Sequence, residues 1–132
     1  MNKLISIFIL LFITGLVVNP IVIADTYPTE ADYRYLKGCF GEERPTHDHA
    51  GIDIVGKEVG DINGKPAYAF REGIVTFADW ENGYGKTVDI KHSDGTKTRY
   101  AHLETINEKI KEAYENYIKS RIEEDTKRKE EK

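Results

Sequence analysis

The sequence predicts a mainly β protein built on an antiparallel sheet, with an N-terminal signal segment before the sheet and an amphipathic α-helix after it. Between residues 66 and 103, apolar side chains recur at every second position, which is the period of a strand with one buried face. After residue 104 the period becomes helical. Short sequences rich in Gly, Asn and Asp separate the strands and favour hairpins. We therefore expect sequential strands to pair antiparallel.

The first 24 residues are typical of a secretory signal peptide. Lys3 supplies a basic head, residues 4–18 are apolar and uncharged, and Asn-Pro ends that run. Val22 and Ala24 provide the short side chains that a signal peptidase requires, so we expect cleavage after Ala24. An uncleaved membrane anchor is the alternative, because residues 4–24 are just long enough to span a bilayer. Both outcomes place the remaining chain in the cell envelope, the periplasm or the medium.

The remaining chain is predicted to be one acidic domain. Removing residues 1–24 leaves 108 of the 132 residues, which is the size of a single domain. The removed segment carries one lysine and no acid, so the formal net charge changes from −4 to −5. Such a chain is not expected to bind nucleic acid. Cys39 is the only cysteine, and we expect it to pack beside Phe40, with an intermolecular disulfide as the alternative.

A short helix is expected at the start of this domain, in a lead-in that we place at residues 25–35. Thr29 can cap the helix, and acidic residues fill its first turn. Its apolar side would consist of Tyr33, Leu36 and Phe40, and two nearby glycines would end it.

Four strands are expected in a β-core that we place at residues 36–103. Their predicted ranges are residues 66–70, 73–78, 86–92 and 96–103. Because side chains alternate between the two faces of a strand, we expect Val88 and Ile90 on one face of the sheet. Tyr100 and His102 should share another face.

Residues 104–132 are dense in charge, and their apolar side chains recur at helical spacing. We expect one amphipathic helix that ends in a polar tail from Glu123. The apolar positions are Ile106, Ile110, Ala113, Tyr114, Tyr117, Ile118 and Ile122. An isolated helix of this length gains little stability from propensity. The apolar stripe should therefore pack on the sheet or on the same helix of a second copy, which would give a homo-oligomer.

The segment of residues 46–54 carries two imidazoles and a carboxylate that could form a metal site. His49 and Asp53 are four residues apart, and such positions face the same side of an extended chain, so both can reach one ion if the backbone bends a little at Gly51. Zinc accepts imidazole nitrogen and carboxylate oxygen as ligands. The alternative is a polar loop with exposed histidines, because short ligand patterns often occur by chance. His47 could be a third ligand, but the sharp bend this requires favours an exposed His47.

Five sequence blocks of the β-core, taken in order, resemble the lysostaphin-type (LytM-like) zinc metallopeptidases that cut peptidoglycan cross-links. The blocks are residues 40–44, 49–54, 66–75, 83–92 and 98–103. Linked blocks are far less frequent by chance than one motif. The resemblance implies an antiparallel sheet with a groove, of the duplicated hybrid motif type, and we expect this core to be incomplete because the family's later strands have no counterpart after Leu103. It also implies peptidoglycan, or its stem and cross-bridge peptides, as the partner.

The same resemblance implies that His49 and Asp53 are zinc ligands and that His102 is a catalytic histidine beside the zinc-bound water. The family's Tyr-x-His-Leu block supplies this histidine, which orients the water or stabilises the oxyanion. A zinc ion would activate that water and polarise the scissile carbonyl. We also expect Tyr84 and Tyr100 to contact substrate in the groove, with a place in the core as the alternative for such aromatic residues.

The chain departs from the family in one respect, because no histidine follows His102. The family's later His-Leu-His stretch, whose second histidine is the third zinc ligand, has no counterpart. Two ligands make an open, weak site, so we expect impaired or absent activity. Three hypotheses follow: an endopeptidase that takes its third ligand from His47 or another chain, a non-catalytic peptidoglycan-binding or regulatory module, and a truncated fragment of a longer hydrolase.

Overall fold

A computed structural model of the chain describes residues 25–58 and 61–132. The predicted signal segment, residues 1–24, lies outside the described residues. Within the described ranges, no helix combines the length and the apolar character needed to cross a membrane.

The described chain forms two antiparallel sheets followed by one long helix. The elements are a 3-10 helix at Ala31–Tyr33, β1 (Tyr35–Gly38), β2 (Asp53–Val55), β3 (Ile74–Glu81), β4 (Gly85–Lys91), β5 (Lys97–Leu103) and α1 (Glu108–Glu130). Strands β1 and β2 pair with each other, and β3, β4 and β5 form a meander in that order. The predicted antiparallel β architecture with a C-terminal helix is confirmed.

The core lies on one face of the β3-β4-β5 sheet. Its buried residues are Val75, Ala78, Val88, Ile90 and Ile106. Tyr100 packs against this cluster and stands opposite Val88 in the register. The prediction that Tyr100 lies on a different face from Val88 is therefore wrong. His102 also departs from the expected alternation, because its φ of 57° interrupts the regular strand geometry.

The other face of the same sheet carries an ionic cluster around one buried carboxylate. Asp89 lies between two core residues of β4 and so points away from the core, yet it is only 3% exposed. Arg99 donates to both of its carboxylate oxygens, at 2.8 and 2.9 Å, and the Lys97 ammonium lies at 3.0 Å. The hydrogen bonds from Arg99, followed by those from Lys97, hold the pKa of Asp89 below its usual value.

Helix α1 begins after Asn107, whose side chain accepts a hydrogen bond from the Lys109 backbone N–H at 2.9 Å. Ile110 and Tyr114 pack against the core, and the Tyr114 ring lies 5.7 Å from that of Phe77. This confirms the hypothesis that the stripe packs on the sheet, but only for the first half of the helix.

The second half of α1 does not follow the prediction. Ile118 is 39% exposed and Ile122 is 60% exposed, so the apolar stripe is not buried along its whole length. The helix continues to Glu130, whereas a polar tail was expected from Glu123. Good helix formers such as Glu, Lys and Arg dominate this part of the sequence, which explains the continuation.

The predicted N-terminal helix is wrong beyond one 3-10 turn. Thr29 donates its hydroxyl to the Tyr33 carbonyl at 2.8 Å and does not cap an α-helix. The chain then enters β1, because pairing with β2 satisfies its backbone groups. Cys39 follows at a turn and is exposed, as is Phe40, so the expected packing of Cys39 is also wrong.

The predicted strand at residues 66–70 is not a strand in the structure. This segment runs beside the lead-in instead. The Tyr68 N–H donates to the Pro28 carbonyl at 2.9 Å, and the Thr26 N–H donates to the Phe70 carbonyl at 2.7 Å. Isolated bonds of this kind do not form a ladder, although they attach the lead-in to the body of the domain.

Candidate metal centre

The candidate site is built where the β1–β2 pair ends. Gly38 at the end of β1 stands opposite Asp53 at the start of β2. The intervening loop folds back on itself, since Gly41 N–H donates to the His49 carbonyl at 2.7 Å and His49 N–H donates to the Glu42 carbonyl at 2.8 Å. This small hairpin carries His49 to the strand that bears Asp53.

His49 and Asp53 converge as the sequence predicted. The Nε2 atom of His49 lies 3.3 Å from Oδ1 of Asp53, and the Nδ1 atom lies 3.1 Å from the carbonyl oxygen of Cys39. A carbonyl oxygen only accepts hydrogen bonds, so Nδ1 must carry a proton. In the neutral imidazole, Nε2 then presents a lone pair towards a carboxylate oxygen. A cation, either a proton or a metal ion, is needed between these two atoms.

The donor pair fits two corners of a zinc site. Bonds of about 2.1 Å at a tetrahedral angle put two ligand atoms roughly 3.4 Å apart, and the observed separation is 3.3 Å. The contact between Nδ1 and the Cys39 carbonyl is the support that metal-binding histidines commonly have. The residues present therefore fit zinc in chemistry and in spacing, as a pair.

Arg44 hydrogen-bonds to the second carboxylate oxygen of Asp53. Its Nη2 atom donates to Oδ2 of Asp53 at 2.8 Å, while Glu42 lies further away, at 3.9 Å from the same nitrogen. The other carboxylate oxygen of Asp53, Oδ1, then faces Nε2 of His49. No sequence motif predicts a role for Arg44, although this residue lies in the first block of the family resemblance.

No third ligand joins the pair within the described residues. Among them, no three His, Cys, Asp or Glu side chains are grouped so as to hold a metal ion. His47 is exposed, as expected, and its Nδ1 lies 2.8 Å from the Thr46 hydroxyl oxygen. Both the third ligand and the role of this pair in metal binding stay predictions.

The two later histidines occupy different surroundings. His102 is exposed on β5, where its backbone N–H donates to the Tyr84 carbonyl at 2.8 Å. Its catalytic role stays a prediction. His92 is buried at the start of the β4–β5 turn. It is 4% exposed, because Nδ1 contacts the Glu72 carbonyl at 2.8 Å and Nε2 contacts the Thr98 hydroxyl at 3.0 Å.

The two tyrosines expected to contact substrate, Tyr84 and Tyr100, have different surroundings from each other. Tyr84 is 41% exposed in the β3–β4 turn, with the Arg99 guanidinium carbon 5.0 Å from its ring centroid. Tyr100 packs on the core, and its hydroxyl oxygen accepts from the Phe70 N–H at 2.6 Å. Tyr84 is therefore open to a ligand, while Tyr100 has a structural partner. Substrate contact stays a prediction for both.

The sequence profile of peptidase family M23 matches residues 47–119, which is more than half of the chain. The chain therefore belongs to peptidase family M23, the lysostaphin-type (LytM-like) family. The match extends past the expected end of the β-core at residue 103 and includes the first half of α1. Enzymes of this family are in general zinc-dependent.

Among curated proteins, the chain is similar to the DD-carboxypeptidase/endopeptidase Mpg of Neisseria meningitidis serogroup B and to the protein of the same name in Neisseria gonorrhoeae. Each is 37% identical over 60 residues, which cover 46% of this chain. The aligned part spans only 13% of the length of these relatives. No solved structure gives a significant match.

Proposed function

We propose that this chain is an exported domain that acts on cell-wall peptidoglycan, holding a zinc ion through His49 and Asp53. Membership of family M23 and the similarity to a DD-carboxypeptidase/endopeptidase support the substrate class. The observation that carries the proposal is the 3.3 Å approach of His49 Nε2 to Asp53 Oδ1. No third protein ligand joins them in the described part of the chain, so these residues alone should hydrolyse peptide cross-links weakly or not at all.

The residues of the chain have distinct roles in this proposal. His49 and Asp53 hold the ion, and Arg44 and the Cys39 carbonyl fix their orientation. When bound, zinc supplies a Lewis acid that activates water and polarises a peptide carbonyl. His102 is the candidate proton carrier, because its imidazole is exposed and an imidazole can both donate and accept a proton.

A second candidate function is an active endopeptidase that takes its third ligand from another polypeptide. The exposure of the Asp53 carboxylate favours this option. The Asp53 side chain is 43% exposed and the His49 side chain is 13% exposed, so an incoming imidazole has access to the carboxylate side. A partner that supplies a histidine would complete the minimum set of three protein ligands for catalysis.

Binding and hydrolysis of purified peptidoglycan test the proposal together. The full chain should sediment with insoluble peptidoglycan and release few soluble peptides from it. His49→Ala should abolish the remaining release, while the control variant His47→Ala should behave as the wild-type chain, because His47 stands outside the pair. If the chain neither sediments with peptidoglycan nor releases peptides, the proposed function is wrong. Release at an ordinary enzymatic rate from the chain alone would contradict the expected weakness.

A further inference from the structure

We propose that Arg44 is a positioning residue that holds Asp53 so that only one carboxylate oxygen, Oδ1, is presented to a metal ion. The inference rests on the proposed function, because the His49–Asp53 pair is the proposed zinc site. It adds a residue that neither the family match nor the sequence motifs assign to the site.

The contacts divide the two oxygens of Asp53 between different partners. Oδ2 accepts a hydrogen bond from Arg44 Nη2 at 2.8 Å, whereas Oδ1 lies 3.3 Å from Nε2 of His49. A hydrogen bond between a guanidinium and a carboxylate is charge-assisted and directional, so it restricts rotation of the carboxylate plane. Without Arg44, a side chain that is 43% exposed would be free to turn towards solvent.

Gly38 makes room for this contact. A Cβ atom at this position would lie 2.5 Å from Oδ2 of Asp53 and 3.0 Å from Nη2 of Arg44. Gly38 is buried and stands opposite Asp53 in the β1–β2 register. Its φ is not positive, so the requirement for glycine is one of space and not of backbone conformation.

Arg44 is itself held by the small hairpin of the site. Its backbone N–H donates to the His47 carbonyl at 3.2 Å, and the neighbouring Glu43 forms an isolated antiparallel β-bridge with Asp48. The Glu42 carboxylate lies 3.9 Å from Arg44 Nη2, which adds a second, weaker attraction. The guanidinium is therefore directed at Asp53 by the same loop that carries His49.

The charge of Arg44 and its hydrogen bond to Asp53 should change zinc affinity in opposite directions, so the direction of the change in a variant tests the inference. A fixed positive charge beside a cation site weakens cation binding by Coulomb repulsion, so an Arg44 that acted only through its charge would lower zinc affinity. Its side chain is 36% exposed, which screens that repulsion. Orientation should then dominate, and residues that orient metal ligands typically change affinity by about 10- to 100-fold when removed.

Calorimetric titration of the full chain with zinc, and with cobalt as a spectroscopic probe, tests this proposal. Arg44→Ala should lower the affinity by about 10- to 100-fold, and Arg44→Lys, which keeps the charge but loses the planar group, should restore only part of it. Arg34→Ala is the matched control, because Arg34 packs over the Tyr27 ring, 4.5 Å from its centroid, and does not contact Asp53. Unchanged or tighter zinc binding in Arg44→Ala would overturn the proposal.

A measurement without metal separates this inference from the proposed function. In the metal-free chain, carbon-13 NMR of the Asp53 carboxyl and nitrogen-15 NMR of the His49 ring should both change in Arg44→Ala, and in Arg44→Lys if the alanine variant does not fold. Identical spectra would exclude the positioning role. If the wild-type chain bound no zinc but its spectra responded to the variants, the proposed function would fail while the role of Arg44 would stand.

Discussion

At the scale of single residues, the behaviour of the site depends on which atom of each side chain is already engaged. The Cys39 carbonyl is hydrogen-bonded to Nδ1 of His49, and Arg44 donates a hydrogen bond to Oδ2 of Asp53. The two remaining atoms, Nε2 and Oδ1, face each other at 3.3 Å. Both are acceptors when the imidazole is neutral, so the local hydrogen bonds prepare this point for a cation.

Gly38→Ala should damage both the site and the fold. The added Cβ would lie 2.5 Å from the Asp53 carboxylate, so either the strand pair or the carboxylate must move. Overpacking of this kind costs about 1–3 kcal/mol in the free energy of unfolding, which urea denaturation would measure. Gly51→Ala is the control, because the nearest atom to its Cβ would be 3.9 Å away. Equal stabilities of the two variants would contradict the expected clash.

Asp89 should govern part of the acid stability. Its pKa in the folded chain is lowered from 3.8 by hydrogen bonds from Arg99 and Lys97. The stabilisation is therefore complete above the unfolded-state value and is lost as the pH falls through the lower, folded-state value. Asp89→Asn should cost about 2 kcal/mol at neutral pH. It should also flatten the acid limb of a melting temperature profile.

Asp32→Asn serves as the control for this pH dependence, because Asp32 is exposed and lies outside the cluster. Its acid limb should match that of the wild-type chain. If Asp89→Asn kept the full wild-type acid limb, other carboxylates would have to account for it.

At the scale of elements, the meander could be predicted because period-two alternation and turn residues agree from residue 73 to residue 103. Strand β1 could not be predicted in this way. Its first residues are exposed, so no alternation marks it, and it is defined by pairing with β2, which is distant in sequence. The segment at residues 66–70 shows the opposite error: its residues suit a strand, but no neighbouring strand offers a ladder.

As with the strands, part of the site could be predicted from the sequence and part could not. Spacing predicted that His49 and Asp53 could meet if the backbone bends at Gly51, and the structure shows a bend there and a 3.3 Å approach of the two side chains. The role of Arg44 was not predictable from spacing. Its contact with Asp53 requires the turn of the small hairpin and the room that Gly38 leaves by having no Cβ atom. Long-range pairing of this kind leaves no periodic trace in a sequence.

The first and second halves of α1 should respond differently to truncation of an apolar side chain. Ile110→Ala removes a side chain that packs against the core and should cost about 2 kcal/mol in the free energy of unfolding. Ile122→Ala, at a position that is 60% exposed, should change stability by less than about 0.5 kcal/mol. Urea denaturation of both variants checks this contrast. Equal losses would show that the second half of the helix is also covered, as in an oligomer.

At the scale of the whole molecule, contacts far apart in sequence join the lead-in to the body. Arg71 binds the Asp25 carboxylate with two nitrogens, at 2.7 and 2.9 Å, and also reaches Asp94 in the β4–β5 turn at 2.6 Å. Asp25 at the start of the lead-in is therefore tied to the turn at the end of β4 through Arg71. The pKa of Asp25 is lowered, chiefly by its hydrogen bonds from Arg71.

Export is a prediction at the same scale. When the full sequence is expressed in a secreting bacterium, we expect signal cleavage after Ala24, because Val22 and Ala24 meet the small-residue requirement. Intact mass spectrometry of the exported protein should then report a chain that begins at Asp25. A protein that keeps Met1 and fractionates with membranes would support the anchor instead.

Zinc titration of the full chain, compared with three variants, tests most directly whether His49 and Asp53 hold the ion. The wild-type chain and His47→Ala should bind zinc with the same affinity and a stoichiometry of about one ion per chain. His49→Ala and Asp53→Asn should lose measurable binding, because the first removes the Nε2 atom and the second removes the negative charge of the carboxylate that faces it at 3.3 Å. Wild-type affinity in both of these variants, or a loss confined to His47→Ala, would contradict the proposed site.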